Sequence, residues 1–241
     1  MFPIIFIFSL ALTYVAGEIP SYMHICGRKN PNLDKCIANS INDLRSNICN
    51  GIPELQTPPL EPFIVKQVTL SDVDNAKMYV RDLQITGLCE FIINDLHVNL
   101  DNLHIEGNLS FKKIFLNGTY DADIRILVSF VKKGLVYFTT DNLAAKVAVD
   151  FKMINKDGKK YIYMSKLNVN LDIKTLNTQF GSESNADQLN LIVSTFIGSN
   201  EKELINKAKP IIEKELTKQL LVIANNIVKH FTYDELFPDR L

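Results

Sequence analysis

The 241-residue chain lacks most of the features by which catalytic and metal sites are recognised in a sequence. It has no tryptophan, and its four histidines are scattered without an H-x-x-x-H or similar metal-binding cluster. G-x-S-x-G, H-E-x-x-H and phosphate-loop motifs are absent, and no C-x-x-C pair indicates a redox or zinc site. We therefore expect no catalytic residue, no metal and no cofactor.

An excess of charge of either sign is also missing. The 26 lysines and arginines nearly balance the 27 aspartates and glutamates, which gives a formal net charge of −1 without a basic cluster. Proteins that bind nucleic acids or anionic membrane surfaces usually present a positive patch. The C-terminal stretch QLLVIANNIV is also much shorter than the roughly 20 apolar residues that span a bilayer. We expect no nucleic-acid partner and no stable membrane insertion.

The chain begins with a short apolar run, MFPIIFIFSLALTYVAG, that ends in small residues. Val15 and Gly17 suit the −3 and −1 positions of a signal-peptidase site, although the only positive charge ahead of the run is the α-amino group. A buried strand or a membrane anchor is the alternative, but the run is short for an anchor. We expect residues 1–17 to be a cleaved signal peptide, residues 18–241 to form one mature domain, and the protein to be secreted.

Secretion determines how the four cysteines are interpreted. An even number of cysteines in an oxidising compartment favours disulfides, and four cysteines allow three pairings. Cys26 and Cys36 flank a polar, turn-rich segment and could close a small loop. Cys49 and Cys89 then either pair with each other or stay as buried thiols.

Two sequons occur in the middle of the chain. Asn108-Leu-Ser and Asn117-Gly-Thr are candidates for N-glycosylation if the protein is secreted.

Helical periodicity appears first between Asp34 and Cys49, where one apolar stripe predicts an amphipathic helix. Gly51 follows as a stop signal. The next residues, 51–63, read GIPELQTPPLEPF and contain four of the nine prolines, which predicts a rigid, extended corner. The helical stripe consists of Ile37, Ile41, Leu44 and Ile48.

From Pro62 to about Phe180 the period changes to two. Strict alternation of apolar and polar residues indicates long antiparallel strands with one dry and one wet face, and such long strands must twist and curl. Turns are predicted at Asn117-Gly118, Lys133-Gly134 and 155–158.

The C-terminal third returns to helical periodicity. We predict a short helix over QLNLIVSTF, a break at Gly198-Ser199, and a long helix from Glu201 to about Phe231 that Asn200 caps and Pro210 kinks. The second half of this helix is apolar around most of its circumference, so it must be buried on several sides.

Together these elements predict an α+β fold with a single domain. A long C-terminal α-helix is wrapped by a strongly curved antiparallel β-sheet, which leaves an elongated apolar interior. The pattern alone does not distinguish an interior tunnel from a filled core.

The residues at the proline-rich corner also carry a family resemblance. GIPELQTPPLEPF resembles the corresponding segment of the takeout/juvenile-hormone-binding protein (JHBP) family of arthropods. So do Pro20-Ser-Tyr22 with the first two cysteines, the hairpin segment 82–88, Gly118-Thr-Tyr120, and the C-terminal segment 226–238. Ser129 and Lys132, however, stand where the family often has a proline and the first glycine of a G-x-G.

The resemblance implies a TULIP-like extracellular carrier that holds a lipophilic molecule, such as a juvenile hormone, another terpenoid or a long-chain lipid, in an internal tunnel without catalysis. It also implies a Cys26–Cys36 disulfide. Hormone transport, feeding or circadian behaviour and chemosensory roles all occur among relatives. We expect a monomer, and any receptor or carrier partner is unknown.

Inward-facing apolar residues of the strands and the long helix are the candidates for lining the tunnel, and Tyr120 is a candidate hydroxyl anchor. Ordinary core packing is the alternative for each of them. An extracellular interaction or signalling protein with a filled core is the alternative function. The candidate tunnel residues are Phe63, Val65, Leu83, Ile85, Tyr120, Phe130, Val136, Phe138, Leu220, Ala224, Ile227 and Phe231.

Overall fold

Two layers form the fold, a curved antiparallel sheet and a long helix that lies against its concave face. The computed structural model describes residues 19–125, 129–181 and 186–241, with only the backbone at 129–130 and 186–199. The predicted signal peptide lies outside the described residues. The elements are α1 Leu33–Asn50, β1 Phe63–Val73, β2 Ala76–Thr86, β3 Ile92–Asn99, β4 His104–Arg125, β5 Ser129–Lys156, β6 Lys159–Asp172, β7 Asn177–Phe180, α2 Ala186–Val228 and α3 Tyr233–Leu236, with 3₁₀ turns at Pro53–Leu55 and Leu88–Glu90.

Helix α1 forms where its apolar stripe predicts it. Asp34 lies in its first turn, and Gly51 ends it with a φ of 83°. A side chain at Gly51 would also collide with the proline corner, since a Cβ there would lie 2.9 Å from Pro59 N. No residue of α1 is fully buried. The helix therefore lies at the surface of the fold, with its apolar stripe packed inward and its other face in solvent.

The proline-rich corner is a compact connection between α1 and β1. Ile52 and Thr57 exchange backbone hydrogen bonds of 2.9 and 3.0 Å, and the Glu61–Pro62 peptide bond is cis. Ile52, Leu55 and Leu60 are buried. The corner therefore supplies apolar side chains to the core. The prediction of an extended backbone is wrong here, because Pro53 begins a 3₁₀ turn and the segment folds back on itself.

The sheet has the order β1-β2-β4-β5-β6, with every pair antiparallel. Strand β4 has 22 residues and β5 has 28, so each is long enough to pair with more than one neighbour on the same side. Strand β3 pairs with the first part of β4 and β2 with the second part. Similarly, β6 and β7 share β5. The predicted α+β architecture with a curved antiparallel sheet is confirmed.

Irregularities in the strands give the sheet its curvature. The series of buried residues on β2 passes from Val80 to Leu83, and on β4 from Phe111 to Ile114, so two consecutive residues face outward at each point. Asp82 has a φ of 48° at the first of these points. Bulges of this kind bend a strand and increase its twist. The predicted curl therefore has a local cause in β2 and in β4.

The Asn117-Gly118 and Lys133-Gly134 turn predictions are wrong, because both dipeptides lie inside strands. Gly134 pairs with Tyr120 across the β4–β5 ladder. A Cβ at Gly134 would lie 2.8 Å from a ring carbon of Tyr120, so the glycine provides space for the aromatic ring. The turn at 155–158 is confirmed, and it joins β5 to β6.

Helix α2 runs without interruption over 43 residues, so the predicted break at Gly198-Ser199 and the helix start at Glu201 are wrong. A glycine inside a helix costs only about 1 kcal/mol relative to alanine. A continuous ladder of backbone hydrogen bonds and the packing of the helix against the sheet offset this cost. Pro210 lies inside the helix, and the kink predicted there stays a prediction.

Helix α2 also covers the β6 edge of the sheet. The backbone N–H of Leu176 donates to Glu201 Oε1 at 2.6 Å, and that of Leu171 donates to Glu213 Oε1 at 2.7 Å. Further along the helix, Asn225 accepts from the N–H of Met164 and donates to its carbonyl oxygen, at 2.7 and 3.0 Å. These polar side chains satisfy backbone groups that an open sheet edge would expose.

The three helix residues Glu201, Glu213 and Asn225 are spaced twelve apart. Twelve residues are about three and one third turns at 3.6 residues per turn, so each contact is rotated by about 120° from the previous one. Strand β6 and the residues that follow it must therefore run obliquely across the helix. Because α2 also contacts β1, it bridges both edges of the sheet and closes the curved sheet into a tube.

Candidate functional site

An apolar cavity of about 780 Å³ lies between the concave face of the sheet and helices α1 and α2. On α2 its wall extends from Leu204 to Leu220, which is about 24 Å at 1.5 Å per residue. Ile41 and Ile48 of α1 contribute a second part of the wall. The cavity is therefore elongated along the long helix, as an enclosing curved sheet predicts.

Nearly the whole wall consists of carbon atoms. Its polar side chains among the described residues are Glu106, Tyr120 and Thr140, and it includes no lysine, arginine or histidine. Glu106 is half exposed and faces Lys146, with 3.6 Å between its Oε2 and the lysine Nζ. A cavity of this size and character suits a small lipophilic molecule and offers no cation for an anionic one.

Tyr120 is placed by three features of the β4–β5–β7 region. Its backbone pairs with Gly134, and the missing side chain of that glycine leaves room for the phenol ring. The ring meets Phe180 edge-on, with centroids 5.3 Å apart and planes at 89°. Gly134 and Phe180 therefore act together to position the Tyr120 ring on the cavity wall.

The predicted tunnel residues separate into two groups. The first group lies on the cavity wall, on strands β2, β4 and β5 and on the second half of α2. Its members are Leu83, Ile85, Tyr120, Val136, Phe138 and Leu220.

The second group lies off the described cavity wall. Phe63, Val65 and Phe231 are at most 1% exposed, and together with Ile227 they belong to the buried core. Ala224 is half-buried and also lies off the wall. Large side chains from β1, the proline corner and the end of α2 fill this part of the interior. The side chain of Phe130 lies outside the described residues.

Sequence reasoning missed the contributions of α1, the Leu88–Glu90 turn and β3. Ile41 and Ile48 are on the predicted apolar stripe of α1, so the stripe marked them as buried without indicating against what. Leu88 and Phe91 also lie on the wall. Thr140, a polar residue within an apolar series, gave no signal because one threonine in a strand is unremarkable.

Both disulfides are formed. Cys26 bonds to Cys36, and Cys49 bonds to Cys89. For Cys49 and Cys89 the sequence had allowed either a disulfide or two free thiols, and the structure has the disulfide. Ile48 and Leu88, the residues directly before Cys49 and Cys89, are both on the cavity wall. The second disulfide therefore ties the end of α1 to the sheet next to the cavity.

The two sequons lie on exposed positions of β4. Asn117 is exposed and pairs with Tyr137. Asn108 is also exposed, and its Nδ2 donates to both carboxylate oxygens of Asp95 at 3.0 Å. Glycosylation at either site remains a prediction.

No helix in the described ranges combines the length and the apolar character needed to cross a membrane.

Comparisons with known proteins agree with this architecture. The family model described as haemolymph juvenile hormone binding protein (JHBP) matches residues 4–238. A Schistocerca gregaria protein provisionally named a beta-carotene-binding protein is 22% identical over 223 residues, which cover 88% of this chain and 86% of that protein. The crystal structure of Takeout 1 from Epiphyas postvittana superposes with a TM-score of 0.71 at 18% identity, covering 89% of this chain and 99% of Takeout 1.

Proposed function

This chain belongs to the haemolymph juvenile hormone binding protein family, and we propose that it is a secreted carrier that holds a small lipophilic molecule in its internal cavity without catalysis. The observation that carries the proposal is the cavity of about 780 Å³ with an almost entirely apolar wall. Ligand pockets of small molecules typically measure roughly 300–1,000 Å³ and are mostly apolar. The family and the cavity therefore support the same function by independent routes.

Apolar burial supplies the binding energy in this proposal. A ligand that removes about 300 Å² of apolar surface from water gains about 7–8 kcal/mol at 25 cal/mol per Å². The loss of translational and rotational freedom on binding reduces this gain. Juvenile hormones, other terpenoids and long-chain lipids all have the necessary apolar surface. So does beta-carotene, the hydrocarbon named in the relative from Schistocerca gregaria.

Secretion is the second part of the proposal. The apolar N-terminal residues 1–17 have the order of features found in a signal peptide. The two disulfides favour an oxidising compartment, because cytosolic thiols are normally kept reduced. Expression in eukaryotic cells should yield a protein in the medium whose N-terminus is residue 18, as read by intact mass and N-terminal sequencing. Retention of residues 1–17 in an intracellular product would contradict this part of the proposal.

The carrier function is tested by native mass spectrometry of protein purified from the medium without detergent. We expect a bound lipophile that is released by organic extraction. Ala208 lies on the cavity wall of α2, whereas Val222 is 49% exposed on the same helix. Ala208→Phe should therefore reduce the bound fraction, and Val222→Phe should not.

Two results would count against the carrier. One is wild-type protein that neither copurifies with a lipophile nor takes one up from an added lipid extract. The other is equal uptake by the Ala208→Phe and Val222→Phe variants. The alternative of an interaction protein with a filled core predicts both results, and the size of the cavity speaks against it.

A further inference from the structure

Thr140 carries a buried hydroxyl group on the cavity wall that has no hydrogen-bond partner. The residue is 3% exposed. Of the described wall residues, it alone has a buried side-chain oxygen without a partner. Valine has nearly the same shape and would fill this position without burying an unpaired polar atom. A hydroxyl group here lowers the stability of the empty protein. Folding alone therefore does not explain why threonine occupies this position.

The position of Thr140 directs its side chain into the cavity. Val136, Phe138 and Thr140 follow one another at every second residue on the inner face of β5. Directly after them, Asn142 has a φ of 54° and the inner series continues at Leu143. Thr140 is therefore the last inward residue before the strand bends.

The neighbouring strand places this hydroxyl near the middle of the cavity. Thr140 pairs with Ile114 of β4. The β4 part of the wall extends from Ile105 to Ile124, so Ile114 lies close to its midpoint. The hydroxyl group thus faces the middle of an elongated apolar space rather than one of its ends.

An ordered water molecule is a poor partner for Thr140. Buried waters usually make about three hydrogen bonds, and they need two to four polar groups around them. The other hydroxyl of the wall belongs to Tyr120, six residues further along β4 than Ile114, which is about 20 Å at 3.3 Å per residue. A single hydroxyl in a carbon-lined site does not hold a water well.

We propose that Thr140 Oγ1 is the hydrogen-bonding subsite for an uncharged lipid that carries one oxygen function within an otherwise hydrocarbon skeleton. This inference rests on the proposed carrier function. A hydroxyl both donates and accepts, so the oxygen function can be an alcohol, a ketone, an ester or an epoxide. The oxygen function lies away from the ends of the molecule, because Thr140 lies near the middle of the wall.

The charges around the cavity exclude an ionised head group at this subsite. The described wall offers no lysine, arginine or histidine, and its one charged residue, Glu106, is itself anionic. A carboxylate buried beside Thr140 would have one hydrogen bond and no counter-ion, which is a costly arrangement. Neutral lipids therefore bind in preference to fatty-acid anions.

Three sixteen-carbon probes test the subsite: hexadecane, hexadecan-8-one and hexadecanoate at pH 7.4. Delipidated protein is loaded from an equimolar mixture, and the bound lipids are extracted and quantified by mass spectrometry. The variants are Thr140→Val, which removes the hydroxyl, and Thr140→Ser, which keeps it. Thr178→Val is the matched control, because Thr178 also has a buried Oγ1 without a partner but lies off the described cavity wall.

We expect the wild type to retain the ketone in preference to hexadecanoate. The ketone-to-hexadecane ratio should fall about tenfold in Thr140→Val, as expected when a buried carbonyl loses its hydrogen-bond donor. The ratio should be unchanged in Thr140→Ser and Thr178→Val. Thr140→Val should also unfold at a higher temperature than the wild type when both are empty.

Each other outcome identifies which claim is wrong. If wild type and Thr140→Val bind the two neutral probes in the same ratio, the Thr140 subsite is wrong and the carrier function stands. A preference of the wild type for hexadecanoate overturns the neutral-lipid part of the inference. If the wild type retains none of the three probes, the carrier function itself fails, and the subsite fails with it.

Discussion

The Cys49–Cys89 disulfide should stabilise this protein more than the Cys26–Cys36 disulfide. Each disulfide can be removed by replacing both of its cysteines with alanine, which gives the variants Cys49→Ala/Cys89→Ala and Cys26→Ala/Cys36→Ala. A disulfide restricts the unfolded chain, and the restriction grows with the number of residues in the closed loop. The two bonds close loops of very different lengths, so the structure predicts a ranking.

The magnitudes follow from the sequence separations. Cys49 and Cys89 are 40 residues apart, and Cys26 and Cys36 are 10 apart. The loop-entropy relation gives about 3.9 kcal/mol for the longer loop and about 2.7 kcal/mol for the shorter one at 25 °C. A domain is typically stable by about 5–15 kcal/mol. Both variants should therefore fold, with the Cys49→Ala/Cys89→Ala variant the more marginal.

Urea unfolding followed by far-ultraviolet circular dichroism measures both losses, and intact mass confirms that the remaining disulfide is formed. The Cys49→Ala/Cys89→Ala variant should lose about 1 kcal/mol more than the other variant. It should also release a bound lipophile faster, because Ile48 and Leu88 of the cavity wall directly precede the two cysteines. A larger loss of stability in the Cys26→Ala/Cys36→Ala variant would refute the loop-length reasoning.

Three further predictions concern polar contacts that hold the helices and the N-terminal segment. Asn225→Ala leaves one backbone N–H and one C=O of β6 without their partner. Urea unfolding should therefore show that the free energy of unfolding falls by about 2 kcal/mol. A change near zero would mean that these two hydrogen bonds contribute nothing to stability. Burial, and after it the hydrogen bond from the Tyr22 hydroxyl to Glu54, raises the pKa of Tyr22 to about 12. Absorbance titration at 295 nm should therefore show a phenolate component near pH 12 that is absent in Tyr22→Phe. In Glu54→Gln the pKa of this component should fall only partway toward 10, because the burial remains. Hydrogen bonds from the backbone and side chain of Thr232 lower the pKa of Glu235 from its ordinary 4.5. This carboxylate therefore stabilises the fold above pH 4.5, and its contribution is lost as the pH falls through the lowered pKa. Glu235→Gln should be less stable than the wild type at pH 7 and should lose less stability on acidification, and parallel acid profiles of the two proteins would contradict this.

Local periodicity was a good guide to the elements and a poor guide to their interruptions. The stripe from Ile37 to Ile48 predicted α1 to within one residue at each end, because a partly buried helix must keep its apolar residues on one face. Gly118, Gly134 and Gly198 all suggested breaks that do not occur. Gly134 serves instead to accommodate the Tyr120 ring, and that ring comes from a different strand.

The candidate site was predicted only in part, because local periodicity also limits what can be said about the cavity wall. Alternation identified which face of each strand points inward, so Leu83, Ile85, Val136 and Phe138 were placed on the wall. Phe63 and Phe231 satisfy the same pattern and yet lie in the filled core. Period-two patterning reports the side of the sheet on which a residue lies. It does not report whether the space in front of that residue is occupied.

The chain alone specifies the period of each segment, the order of helix, sheet and helix, the family, and the supply of cysteines. These properties depend on neighbouring residues, or on residue types that are visible in the chain. Where the interior is filled and where it is hollow depends on the packing of the folded protein. The width of that interior depends on bulges in paired strands, on Glu201, Glu213 and Asn225 holding α2 across the β6 edge, and on large side chains that arrive from distant segments. Volume between layers is a property of their packing, and no local pattern in one layer encodes it.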